Sequence, residues 1–509
     1  MAGAQTLIDA IARHDAGTIA IAAPERAPQS YGALADFTAQ VRARLRALGV
    51  GRADRVAIVL PNGPEMACAF VAVAGAATTA PLNPAYRQDE FAFYLEDLRA
   101  KAVLVAADEA GPIVAAAAQA GTAVLRARVD PAMPAGQFAI DGEAVGPASA
   151  DGPPAGDDVA LILHTSGTTS RPKIVPLSHA NVAASARHIA ATLALTPADR
   201  VLNIMPLFHI HGLIAAVSSS LHAGGSIWAS PGFNALKVFG WLDEARATWV
   251  TAVPTMYQAI LGRAGRNAEA IARNPLRFLR SSSASLPPQV MQALEETFGC
   301  PVIEAYGMTE ATHQMASNPL PPAPRKPGTV GIAAGPEIAI LDETGNRVAQ
   351  GGTGEICIKG PNVTAGYENN PEANASGFTN GWFRTGDQGV LDAEGYLSIT
   401  GRLKEMINRG GEKIAPREVD EVLMDHPAVA QAVTFAVPHD KLGEEVAAAV
   451  VLKADAADAP DAQALRAFVA QRLADFKVPR TVLIVDEIPK GPTGKLQRIG
   501  LAKVLGLAP

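Results

Sequence analysis

Cysteine is scarce in this chain. Cys68, Cys300 and Cys357 stand far apart and form no Cys-x-x-Cys pair. That argues against a disulfide framework or a cysteine-ligated zinc site and for a reducing, cytoplasmic compartment. Positive charge is not in excess: 43 Lys and Arg face 50 Asp and Glu, a net charge of −7. A nucleic-acid partner is therefore not expected. Long apolar runs are missing too. The most apolar stretch, MACAFVAVAGAATTAPL at residues 66–82, is built of small residues and includes two threonines. It reads as a buried helix followed by a strand, not as a membrane span. The first residues lack the basic start and apolar core of a signal peptide, and the final GLAP is not a peroxisomal address.

What is present is an enzyme-sized globular composition, with 48% hydrophobic residues over 509 positions. That length exceeds one ordinary core, so two or more domains are expected. Residues 402–509 hold 15 Lys/Arg and 15 Asp/Glu, which places the whole acidic excess upstream. The upstream part alternates short apolar strands (RVAIVL at 55–60, KAVLVAA at 101–107) with helical segments. Such continuous apolar strands indicate parallel sheets covered on both faces. Strands are also read in VLNIM, TWVTAVP and LRFLRSSSAS, with PLFHIHG turning into an apolar helix. From about residue 335 short strands and glycine turns indicate a β-rich subdomain, and after residue 401 an α+β pattern begins. The fold expected is α/β plus α+β: a large domain at 1–401 and a small one at 402–509.

Residues 164–173 read HTSGTTSRPK, three hydroxyl side chains (Ser166, Thr168, Thr169), a glycine and a lysine between strand-like flanks. A loop of this make-up can wrap an anion, although its spacing is not that of a P-loop. Four motifs follow in order: EAYGMTEAT (304–312), WFRTGDQG (382–389), GRLKEMINRGGEKIAP (401–416) and PKGPTGK (489–495). With the loop they resemble the acyl-adenylate-forming superfamily, which includes acyl-CoA synthetases, luciferases and nonribosomal adenylation domains.

That resemblance implies ATP, Mg²⁺ and CoA as reactants and cofactor, a mobile C-terminal lid, and a set of site residues. Thr165, Ser166, Gly167, Thr168, Thr169 and Lys173 would hold the β- and γ-phosphates. Glu304, Ala305, Tyr306 and Thr309 would line the nucleotide, with Tyr306 on adenine, and Glu310 would carry the magnesium. Asp387 matches the ribose binder, Arg402 a second ribose or phosphate contact, and Lys404 the hinge. Lys495 matches the lysine bridging the carboxylate and α-phosphate, and Arg409, Gly410 and Gly411 would face the pantetheine arm. Adenylation is mostly positioning and charge neutralisation, which suits such a residue set.

The acid is read from three places: His209 and His211 in PLFHIHG, the RSSSAS cluster at 280–285, and His313. Histidine and hydroxyl donors suit a second carboxylate, whose burial demands partners. Together with EATHQM, NPLPP, KPGTVG, GPNVT and INRGGEKI, they resemble the oxalyl-CoA synthetase branch. The branch's oxalate contacts map to His209, Ser283 and His313, with Ser283 also beside the nucleotide and His209 beside the reacting carboxylate. Gly307 departs from the branch, which carries alanine there. The alternatives are a ligase for malonate or a coumarate-type acid, a standalone adenylation domain loading a carrier protein, and an idle binding paralogue.

Overall fold

The computed structural model describes residues 5–165, 172–453, 459–489 and 498–508. The chain divides into two compact units. The first comprises Met1–Thr165, Lys173–Glu337 and Ile358–Gly377; the second includes Ile338–Cys357 and Phe378–Pro509. The β-rich segment thus groups with the C-terminal module.

The first unit contains two large sheets. In the seven-stranded sheet the parallel neighbours are Ala123–Arg128, Ala102–Ala106, Arg55–Val59, Thr78–Pro81 and Val159–Thr165. The antiparallel strand Lys173–Ser178 closes its edge, with Thr165 opposite Lys173, so the flanks of the 164–173 segment are strands as read. The run at 66–82 is the buried helix Pro64–Ala74 followed by the strand Thr78–Pro81. Proline at the first helical position presets φ without losing a hydrogen bond, which is why this helix begins there.

The nine-stranded sheet has a parallel centre in the order Val302–Met308, Phe278–Ser281, Trp249–Ala252, Arg200–Asn203, Ser226–Ala229 and Ile19–Ala22. The strand His313–Ser317 runs antiparallel on one side. Helices Val238–Ala245, Pro254–Ala264 and Pro288–Phe298 pack apolar residues such as Leu242, Ile260 and Leu294 against it. The apolar segment after PLFHIHG differs from expectation: His211–Ser218 is a π-helix, continuing as the α-helix Ser219–Ala223. Its start is crowded, because a side chain at Gly212 would lie 2.4 Å from the Pro206 carbonyl oxygen. Wider i→i+5 turns of this kind recur at functional sites.

In the second unit Glu337–Leu341, Gly354–Lys359, Trp382–Leu391, Phe378–Thr379 and Leu397–Arg402 form one sheet. A second sheet joins Glu412–Ile414, Ile407–Arg409, Gly443–Leu452, Val429–His439 and Thr481–Ile484. The helix Pro416–Met424 lays Val419 and Leu423, four residues apart, onto Val446, Val450 and Leu465. This is the α+β module expected after residue 401. Among the described residues no helix is long and apolar enough to cross a membrane.

Asp199 ties three strand entries of the nine-stranded sheet together. Its carboxylate accepts from Thr196 N (2.8 Å), Thr248 Oγ1 (2.8 Å) and Arg277 (2.5 Å). Burial alone would raise this carboxyl, but Arg277, Thr196 and Thr248 outweigh it and hold it below the ordinary range. A depressed carboxyl stabilises the fold above its unfolded value and loses that contribution as pH falls through the folded one. Asp199→Asn is expected to cost about 1–3 kcal/mol at pH 7, the range for a charged hydrogen bond. In urea titrations the difference from wild type should shrink steadily below about pH 4.

Candidate active site

The carboxyl ends of the parallel strands gather most of the residues singled out in the first unit, where ligands bind in open parallel sheets. Arg200–Asn203 leads to His209 and His211, Phe278–Ser281 to Ser283, and Val302–Met308 to Thr309 and Glu310. His313 returns on the antiparallel neighbour, paired with Met308. The return is tight. Thr312 and His313 both take positive φ (48° and 92°), and the register shifts between Tyr306 and Gly307. A side-chain carbon at Gly307 would sit 1.6 Å from the His313 carbonyl oxygen, so glycine is what lets the two strands approach here.

Glu310 is buried, and its Oε1 accepts from the Tyr367 hydroxyl at 2.8 Å. The backbone N–H of Thr364 donates to the Glu310 carbonyl at 2.8 Å, so the loop at 362–367 holds this turn from both sides. Burial first, then the adjacent Glu310 carboxylate, push the Tyr367 phenol well up, which keeps it a donor. Lys173 places its ammonium 4.4 Å from the Tyr367 ring centroid. One aromatic side chain therefore spaces the lysine that ends the 164–173 loop from the carboxylate proposed for magnesium. Among the described residues no three His, Cys, Asp or Glu side chains cluster as a metal cage. One hard oxygen donor is nonetheless how Mg²⁺ is usually bound, through a carboxylate plus phosphate oxygens. Glu310 fits that ion.

The residues read for the acid form one polar network. His211 Nδ1 lies 3.0 Å from Ser283 Oγ, and its Nε2 lies 2.6 Å from Thr251 Oγ1. Its ring stacks on His313, with centroids 4.9 Å apart and planes 24° from parallel. His209 is half-buried, and its Nδ1 accepts from the His211 N–H at 3.3 Å. Ser283 holds a positive φ of 71°, a strained conformation for a serine. Glu304 explains why that turn persists: its buried Oε1 accepts from Leu286 N at 3.0 Å, pinning the far side of the Ser283 turn. Beneath the two histidines lies the fully buried Arg280.

In the second unit Asp387 and Arg402 face each other across the strand pair, with Arg402 Nε donating to Asp387 Oδ1 at 3.1 Å. Lys404 is exposed in the short turn Leu403–Glu405. Arg409 lies beside the hairpin turn of Gly410 and Gly411 and donates to the buried Glu445 at 2.6 Å. Ser166, Gly167, Thr168, Thr169 and Lys495 lie outside the described residues.

His211 and Arg280 stand in the polar clusters read for the acid without a contact of their own there, and Tyr367 is not singled out by the sequence. Arg280 did carry a signal, as a charged residue inside a strand pattern otherwise apolar on both faces. Tyr367, in GYENN, carried none that spacing could show.

A two-unit chain of this build, with a threonine–lysine hairpin, a buried glutamate at a strand end and a carboxylate–arginine pair, has the parts of an adenylate-forming enzyme. The sequence matches the AMP-binding enzyme family over residues 8–368 and the AMP-binding enzyme C-terminal domain over residues 418–495. It is 47% identical to an oxalate–CoA ligase of Arabidopsis thaliana, with 88% of each chain covered. It is 42% identical to an oxalate–CoA ligase of Saccharomyces cerevisiae, covering 89% of this chain and 87% of that one. Among solved structures, ATP-bound MatB from Rhodopseudomonas palustris superposes with a TM-score of 0.87 at 32% identity, with 98% of each chain covered. The chain belongs to the AMP-binding enzyme family. It is an AMP-forming acyl-CoA synthetase, using ATP, CoA and Mg²⁺.

Tyr367→Phe removes the donor that holds Glu310 without changing the ring beside Lys173. Loss of a hydrogen bond to a charged group is worth about 1.5–3 kcal/mol, so the Mg²⁺ concentration giving half-maximal activity should rise roughly 10- to 100-fold. Pyrophosphate exchange measured against magnesium concentration checks this; an unchanged midpoint would remove Tyr367 from the metal site.

Proposed function

We propose that the acid is oxalate. The carboxylate attacks the α-phosphorus of ATP and pyrophosphate leaves, giving oxalyl-AMP; the CoA thiol then displaces AMP, giving oxalyl-CoA. The observation carrying the choice of acid is the buried network of His211, His313 and Ser283 at the strand ends. A pocket for a long or aromatic acid would place apolar side chains and glycine there. A second carboxylate needs hydrogen-bond donors instead. The oxalate–CoA ligases of two organisms at 42% and 47% identity support the same reading.

The roles follow from chemistry. Thr165, Lys173 and the hydroxyls of residues 166, 168 and 169 cradle the pyrophosphate, with Gly167 letting the backbone come close. Magnesium on Glu310 neutralises charge on the phosphate oxygens when bound. Tyr306, with Ala305 and Thr309, packs the adenine side, and Asp387 accepts from the ribose hydroxyls while Arg402 holds Asp387 in place. His209, Ser283 and His313 hold the acid. Lys495 bridges the carboxylate and α-phosphate during adenylation. Arg498, three residues on, is anchored by ion pairs to Asp420 and to Glu405, next to the hinge residue Lys404. We assign residues 402–509 as the lid that rotates between half-reactions, bringing Arg409, Gly410 and Gly411 to the acyl-adenylate. Three separate, buried thiols suit a cytoplasmic setting.

Pyrophosphate–ATP exchange with oxalate, malonate, acetate and a cinnamate tests the substrate: oxalate should drive it best, and exchange driven by the cinnamate alone would overturn the proposal. Lys495→Ala should reduce oxalate-dependent exchange by about 10²-fold or more, the scale for one charge-stabilising group. It should leave thioester formation from supplied oxalyl-AMP nearly intact. Equal loss in both half-reactions would contradict a rotating lid.

A further inference from the structure

Arg280 has no place in the roles assigned so far, yet it is a fully buried cation. Its guanidinium is fully buried in the strand Phe278–Ser281, and among the described residues it has no carboxylate partner. Among the described residues its Nε makes no hydrogen bond. Burial lowers its pKa to about 10, with Tyr257 the lone counter-influence, so it remains a cation at neutral pH. A buried charge without a countercharge is strongly unfavourable, and an apolar residue of like size at such a place is often the more stable choice.

The contacts it does make are all with the acid-side network. One terminal nitrogen reaches His313 Nε2 (3.2 Å) and Gln314 Oε1 (3.1 Å). The other points at His211 Nε2 and Thr251 Oγ1, both at 3.4 Å. A cation that only donates must face a lone pair, so both Nε2 atoms act as acceptors and both rings carry their proton on Nδ1. For His211 that proton points at Ser283 Oγ, 3.0 Å away. The serine oxygen is then occupied as an acceptor, and its own O–H is directed outward as a donor. The chain of polarised bonds runs from the buried guanidinium through the imidazole to a half-buried hydroxyl.

We propose that Arg280 is the specificity-determining positioning residue: its buried guanidinium fixes the donor faces of His211, His313 and Ser283 and supplies the positive potential that a second carboxylate on the acid requires. This rests on the dicarboxylate reading above. Binding of a dianion compensates the buried charge through the two rings and the serine, which binding of a monoanion does less fully. Short doubly charged acids are selected, and their singly charged analogues of equal size are disfavoured.

The test compares wild type with Arg280→Met and Arg280→Lys in pyrophosphate exchange, using oxalate, malonate and the monoanion glycolate. In Arg280→Met the KM for oxalate should rise on the order of 10- to 100-fold, as expected for lost charge-assisted bonds. The KM values for ATP and glycolate should stay within about twofold. Arg280→Lys, which keeps the charge but not the planar fork, should fall between. Equal losses for oxalate and glycolate, or an unchanged oxalate KM, would overturn the proposal. If Arg280→Met fails to fold, the oxalate-to-glycolate ratio in Arg280→Lys decides on the same criterion. Wild type acting on malonate but not oxalate would remove the oxalate assignment and leave Arg280 to be judged on malonate. Wild type acting on monocarboxylates alone would overturn both.

Discussion

The parallel ladder of the nine-stranded sheet decides where everything in the first unit stands. Trp249, Phe278 and Val302 open three adjacent strands in staggered register, Trp249 beside Phe278 and Leu279 beside Val302. Parallel strands point all their carboxyl ends one way, so the segments leaving them share one edge of the sheet. His211, Ser283 and the Glu310–His313 turn come from three separate stretches of sequence and share one edge of the sheet because of that common direction. Asp199 works at the opposite end, tying the entries of Arg200–Asn203, Trp249–Ala252 and Phe278–Ser281. A register slip there would move every one of the site residues together.

Much of this was legible in the sequence, because continuous apolar strands between helices can bury both faces in only a few architectures. The helix–strand pair at 66–82, the hairpin flanking residues 164–173 and the elements of the C-terminal module appear where the pattern put them. Glu310 and Asp387 stand out in the sequence for another reason: the motifs that hold them, EAYGMTEAT and WFRTGDQG, resemble those of the family. The inward-facing partners were not. Alternation along a strand says that Phe278 and Arg280 share a face, but nothing in RSSSAS shows that this face is dry and holds two imidazoles. The histidine pair illustrates the same gap. A His-x-His spacing could not say which ring enters the network, and the π-helix beginning at His211 turns that ring toward Ser283 and Thr251.

Glycine and strain mark the same place from the backbone side. Gly307, the register shift beside it, and the positive φ of Ser283, Thr312 and His313 all fall within the acid-side network and its supports. Strained residues persist only where surrounding contacts over-determine them. Here the surrounding contacts are visible: Glu304 fixes the serine turn through Leu286, Asn362 accepts from Thr312 through its carbonyl, and Ser185 donates to the Thr312 carbonyl. The loop at 362–367 then serves two neighbours, bracing the His313 turn with Asn362 and the Glu310 turn with Thr364 and Tyr367.

A small dianion poses a binding problem that area cannot solve. Oxalate has almost no apolar surface to bury, so hydrophobic transfer contributes little. Its recognition must come from charge and oriented donors held away from water, where such interactions are strongest. Exposed lysines would supply charge but also reach any phosphate in solution. A guanidinium sealed beneath two imidazoles supplies the same sign of potential while presenting only neutral-atom donors at the surface of the site. The cost is a buried cation with no carboxylate beside it among the described residues. Binding of an anion to the folded state alone offsets that cost by mass action, so stability and acid selection are coupled through the same side chain. Such coupling explains why a group that weakens the fold by itself is seated in the middle of its largest sheet.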